Sequence, residues 1–236
     1  RGAVADFLHA VETCDSSGFM TICGDPFQAK YFVCLDEDTR PDIDSVKKLV
    51  GVLEHPLAAP VFNPEGTAVV KGYGIAAPRI DVSLNSAEKN MFTRIISGLG
   101  GVEMYGTPFF SIYQDLFGEG IFSGKGAIHI AAFNTVIKGL FPKGKVLSHD
   151  ILEGSFLNCV FASDLSFFDS VPESILTYTK RNHRWIRGDW QNIRYLFRTI
   201  KTENGEKIKN PLSAVSKYKI FDNIRMFCTR TDGQRG

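Results

Sequence analysis

Five consecutive apolar residues, Tyr31-Phe32-Val33-Cys34-Leu35, stop abruptly at Asp36-Glu37-Asp38-Thr39. This junction restricts the fold more than any other feature of the chain. A short continuous apolar run reads as a strand buried on both faces, as in a mostly parallel sheet. Directly behind it, Pro41 to Glu54 sets Ile43, Val46, Leu49, Val50 and Leu53 at helical spacing, with Pro56 as the stop. A strand feeding an amphipathic helix is the unit of layered α/β domains.

The remaining segments extend that pattern. Ala3 to Glu12 places Val4, Phe7, Leu8 and Val11 on one helical face, and Ser16 to Pro26 reads as a loop. Val69 to Ser83 favours extended structure, Ala87 to Ser97 a helix, and the glycine-punctuated Asp115 to Gly126 a loop. Ala131 to Leu140 and Glu153 to Phe161 read as helices and Leu165 to Phe168 as a short strand. Glu173 to Thr199 reads as a helix with a break at Gly188. Ser213 to Arg225 closes the pattern as an amphipathic helix, its Val215, Tyr218, Phe221 and Ile224 opposite Lys217, Lys219 and Arg225.

Length and charge exclude several classes. The 236 residues suffice for one large domain or two small ones. A net charge of +1 argues against a general electrostatic grip on nucleic acid. The five cysteines are scattered, without zinc spacing, and point to free thiols in a reducing compartment. No apolar stretch approaches the ~18–20 residues of a membrane span, and no signal peptide is present. The first residue is Arg1, which implies a start inside a longer protein.

Three clusters carry chemistry. Asp36 and Asp38 sit at a strand end, where α/β sheets bind ligands. On an extended chain, residues i and i+2 point the same way, so both carboxylates could face a metal-bound diphosphate. They fit a solvated acidic loop equally well. Asp150 reads either as a helix N-cap assisted by Glu153 or as a general base toward an acceptor hydroxyl. Arg181, Arg184 and Arg187 recur along one helix, with Trp185 among them. Arginine forks there suit a departing diphosphate. The competing reading is a plain amphipathic helix with Trp185, Ile186, Trp190, Ile193 and Phe197 inside and the arginines solvated. His55 and His129 have no partner in sequence, and the glycines between Gly118 and Gly126 make no Walker loop.

The order D-x-D, acid, R-x-x-R-W resembles inverting processive β-glycosyltransferases. Longer strings resemble the cyclic β-1,2-glucan synthases. These include Cys34 to Thr39, Leu49-Val50-Gly51, His55-Pro56-Leu57, Gly72 to Ile75 with Pro78-Arg79, Tyr113 to Gly120, Gly124-Lys125-Gly126, Leu147 to Gly154 and His183 to Gln191. The resemblance implies a GT-A-like, mostly parallel sheet flanked by helices, which transfers glucose from UDP-glucose to a growing glucan with Mg²⁺ or Mn²⁺. It assigns Asp36 and Asp38 to the metal-diphosphate, Asp150 to the base, and Arg181, Arg184 and Trp185 to the clamp. It makes Gln114, Asp115, Glu119, Gly124 and Lys125 substrate residues, with Gly118 to Gly126 where relatives place the acceptor-side loop. Arg1 and Gly2 match the end of a basic segment behind the nucleotide-binding strand, so the nucleotide-binding part is expected to be truncated. Residues 1–212 would then form the catalytic core and 213–236 a membrane-proximal segment. The whole would belong to a larger membrane-embedded protein at the cytoplasmic face of a bacterial inner membrane, with this piece itself soluble. Rival readings are a transferase for another sugar or linkage, and a silent carbohydrate-binding or assembly module.

Overall fold

The computed structural model describes residues 2–13, 29–97, 111–142 and 146–230. In chain order they form α1 (Gly2–Thr13), β1 (Tyr31–Cys34), β2 (Arg40–Pro41), α2 (Ser45–Glu54), β3 (Val61–Phe62), β4 (Val69–Lys71) and β5 (Ile75–Val82). There follow α3 (Leu84–Ala87), α4 (Met91–Ser97), α5 (Ile112–Phe117), β6 (Gly126–His129), α6 (Ile130–Val136), α7 (Asp150–Leu157) and β7 (Cys159–Asp169). The chain continues through α8 (Ile175–Gln191), β8 (Thr199–Lys201), β9 (Lys207–Lys209) and α9 (Ala214–Arg230).

The main sheet runs β1-β6-β5-β7-β2. It corrects the expectation of a mostly parallel sheet, because β5 pairs with β7 in parallel while the other neighbours pair antiparallel. Unbroken apolarity in β1 was the misleading cue. That strand lies at an edge and is half-buried throughout, whereas Ile75 to Pro78 of β5, at the centre, are the fully buried run. Nevertheless β1, β5 and β7 point the same way, since β6 is antiparallel to both β1 and β5. Their carboxyl ends therefore share one edge.

Apolar side chains pack on both faces of this sheet. Ile75 and Ala77 join Leu8, Phe133, Leu152, Phe156, Tyr195, Ile220 and Ile224 on one side. Ala76 and Ile80 join Leu49, Leu53, Ala127 and Phe167 on the other. Consecutive β5 residues thus serve opposite layers, as a period of two demands.

Several boundaries differ from the sequence expectation. The helix expected at Glu153 to Phe161 ends at Leu157, where Asn158 takes φ 55°, and β7 starts at Cys159. β7 is accordingly long, not confined to Leu165 to Phe168. The helix expected from Pro41 starts at Ser45, because Arg40 and Pro41 pair with β7. α8 passes through Gly188 without a break and ends at Gln191, where a 3-10 turn over Asn192–Leu196 leads to the β8–β9 hairpin. The loop expected at Ser16 to Pro26 lies outside the described residues.

α9 departs from its expected face. Its buried side carries Ser216, Lys219, Ile220, Asp222 and Ile224, while Tyr218 and Phe221 stay exposed. Lys219 is drawn inside by the Glu119 carboxylate at 2.9 Å and the Gly120 carbonyl at 3.2 Å. Among the described residues no helix is long and apolar enough to cross a membrane.

Gly126 starts β6 at φ 149°, with room for nothing larger. An added Cβ would lie 2.2 Å from the Ala76 carbonyl oxygen. Gly126→Ala is therefore expected to destabilise the chain by on the order of 3 kcal/mol. A urea denaturation midpoint equal to the parent's would disprove this account of the β5–β6 contact.

Candidate active site at the carboxyl ends of β1 and β7

Residues 36–39 leave β1 in a turn, with the Thr39 amide donating to the Asp36 carbonyl at 3.1 Å. The extended backbone expected at Asp36 and Asp38 thus gives way to a turn. Asp36 Oδ2 lies 3.1 Å from Lys125 Nζ. Asp38 acts on Arg181, whose guanidinium loses basicity through burial and regains some from Asp38 and then Asp169.

Asp169, which sequence reasoning missed, joins these parts. Its Oδ2 lies 2.7 Å from Lys125 Nζ, and its Oδ1 accepts from Thr39 Oγ1 at 2.5 Å. The available signal was the same as at Asp36, an acid directly after an apolar strand. The loop before β6, the turn after β1 and the end of β7 converge on this one buried carboxylate.

Asp150 opens α7, but the cap position falls to His149, which makes no side-chain capping bond. The N-cap reading of Asp150 is thereby replaced. Its carboxylate faces Gly124, where an added Cβ would lie 3.1 Å from Oδ2, and His149 Nε2 stands 3.4 Å from Oδ1. Gly124 and Lys125 are neighbours in sequence, so the wall that meets Asp150 continues directly to the residue that grips Asp36.

α8 fixes the loop carrying Asp150. Ser148 Oγ donates to Asp189 Oδ1 at 2.6 Å, Asn192 Nδ2 donates to the Ser148 carbonyl at 2.7 Å, and Gln191 Oε1 accepts from the Leu147 amide at 3.1 Å. Gly188 permits this approach, since an added Cβ would sit 2.7 Å from Ser148 Cβ. Burial pushes the Asp189 carboxyl up to about 6; hydrogen bonds from Ser148 and Asn223 oppose the rise and the Asp150 charge adds to it.

The start of α8 is capped by Ser174, whose hydroxyl accepts from the Thr177 amide at 3.3 Å. Arg181 is half-buried with its guanidinium carbon 4.9 Å from the Trp185 ring centroid, a cation–π contact. Arg184 and Arg187 are exposed. The plain amphipathic reading holds only in part. Trp185 and Ile186 are half-buried, Trp190, Ile193 and Phe197 face out, and the fully buried positions of α8 are Gly188 and Asp189.

Of the expected substrate residues, Gly124 lies against Asp150, and Lys125 against Asp36 and Asp169. Gln114 instead accepts from the Phe161 amide at 2.9 Å, Glu119 pairs with Lys219, and Asp115 is exposed. Gly2 begins α1, and Arg1 lies outside the described residues. His55 and His129 each accept a backbone N–H through Nδ1, from Leu57 and Ala132, and so have local structural roles.

Among the described residues no group of three His, Cys, Asp or Glu side chains is arranged to hold a metal. Asp36 is largely exposed and shares the edge with Asp38. Such a pair suits a divalent ion that keeps water and takes its remaining ligands from substrate phosphates.

No protein-family model matches the chain. Over 201 residues, or 85% of its length, it is 39% identical to the cyclic β-(1,2)-glucan synthase NdvB of Rhizobium meliloti (strain 1021). It is related to a glucan synthase. The chain spans only 7% of that relative's length.

The Asp189 environment sets a pH dependence. A folded-state value raised from 3.8 to about 6 favours the protonated native form, so this contribution is fully present below about pH 4 and is lost as pH rises through about 6. Asp189→Asn removes that loss while keeping an acceptor for Ser148. Its stability relative to the parent should improve between pH 4 and pH 7 by about 1–3 kcal/mol. Urea melts showing a pH-independent difference would refute the assignment.

Proposed function

We propose that the chain is the glycosyl-transferring part of a larger glucan synthase, extending a β-1,2-glucan from UDP-glucose with inversion at the anomeric carbon. The observation that carries the reading is the continuity from Asp150 across Gly124 to Lys125 and Asp36. It sets a candidate base beside candidate donor-binding carboxylates, which displacement at one carbon requires. Relatedness to a glucan synthase supports the reading independently.

In this mechanism Asp150 accepts the proton of the attacking hydroxyl. The acceptor oxygen bonds to the anomeric carbon as the bond to the diphosphate breaks and the electron pair leaves with UDP. Arg181 and Arg184 supply positive charge to that leaving group, and Trp185, braced by Arg181, offers a flat edge to the acceptor sugar. Asp36 and Asp38 would hold Mg²⁺ or Mn²⁺, which supplies Lewis-acid neutralisation of the diphosphate when bound. On this reading the parent protein would sit at the cytoplasmic face of a bacterial inner membrane, with the exposed Tyr218 and Phe221 of α9 available to its remaining parts.

Two substitutions in the full-length protein separate the roles. Asp150→Asn should lower glucan synthesis by roughly 10²–10⁴-fold and leave metal-dependent UDP-glucose binding intact. Asp38→Ala should abolish that binding. Near-normal turnover by Asp150→Asn would move the base elsewhere. A panel of radiolabelled sugar nucleotides with linkage analysis of the product tests donor and bond. A product with a different sugar or linkage identifies another transferase, and absence of any nucleotide binding identifies a carbohydrate-binding or assembly module.

A further inference from the structure

We propose that Lys125 acts on the donor side, its ammonium neutralising the departing diphosphate, and that Asp169 is the positioning residue that holds it there. This rests on the glycosyl-transfer reading above and moves Lys125 away from the acceptor region to which the resemblance assigns it.

Two carboxylate contacts of the ammonium are unequal. The side chains of Lys125 and Asp169 are only 9% and 8% exposed and meet at 2.7 Å. Asp36 is 63% exposed and stands at 3.1 Å. Charge attraction is strong where water is excluded and weak where it is not, so Asp169 is the anchor and Asp36 the exchangeable partner. Thr39 ties the same Asp169 to the turn bearing Asp36 and Asp38, which keeps the ammonium beside that turn. A diphosphate approaching Asp36 and Asp38 therefore meets Lys125 as a point charge already in place. During displacement, the carbon–oxygen bond to the diphosphate breaks with its electron pair on the leaving oxygen. Asp150 gains the acceptor proton, and Lys125 keeps its own proton and contributes charge alone.

The test uses the full-length protein and titrates UDP in the presence of Mg²⁺ by calorimetry, alongside steady-state kinetics. Lys125→Met alone strands the Asp169 carboxylate in the interior and threatens folding. The double variant Lys125→Met/Asp169→Asn removes both charges and relieves that penalty. It should bind UDP about 10- to 100-fold more weakly than the parent, with kcat reduced and the KM for glucan acceptor unchanged. Lys125→Arg should retain part of the affinity. A double variant that binds UDP as tightly as the parent overturns the assignment, as does a raised acceptor KM with UDP affinity intact. An unsubstituted protein that binds no UDP overturns the donor reading itself, and the parent titration tells the two failures apart.

Discussion

The contact between the Lys125 ammonium and the Asp169 carboxylate, buried at 2.7 Å, holds together segments that the sheet alone would leave apart. Lys125 immediately precedes β6, Asp169 ends β7, and these two strands are not neighbours. A buried pair of this kind contributes little net stability compared with well-packed apolar groups, because both charges lose water. Its value is geometric. Thr39 on the second carboxylate oxygen continues the β2–β7 pairing, by which the sheet brings the turn after β1 to the end of β7, and the ion pair adds Lys125 to that junction.

A second set of contacts fixes the approach to α7. Ser148, Gly188, Asp189, Gln191 and Asn192 lock the approach to α7 onto α8. The helix that carries Arg181 and Trp185 is thereby joined to the helix that begins with Asp150. The protein keeps an acid in this lock at a cost, since burial opposes the charged form of Asp189. A costly buried acid beside a candidate base is the pattern expected near a site of chemistry.

The exposed apolar residues have a related explanation. Ile112, Leu116 and Phe117 of α5, like Tyr218 and Phe221 of α9, face outward. Tyr113 bridges the two helices by donating to Asp222 at 2.9 Å and by a tilted ring contact with Tyr218 at 6.5 Å. Apolar side chains exposed together suit contact with another surface.

Local pattern was enough to read α1, the strand at Tyr31, the extended segment at Val69 and the existence of most helices, because periodicity records which face is apolar. The motifs likewise identified Asp36, Asp150 and Arg181 as residues worth joining. Pattern could not show that β1 is an edge strand, because an apolar run reads alike beside one neighbour or between two. Nor could it show that Asp36 and Asp38 lie in a turn, or that Glu119 belongs to a buried pair with a lysine 100 residues away. Those outcomes, and the role of Asp169, were decided only in the tertiary structure. Each depends on a charged group finding its partner across strands distant in sequence, and no periodicity within a single segment carries that information.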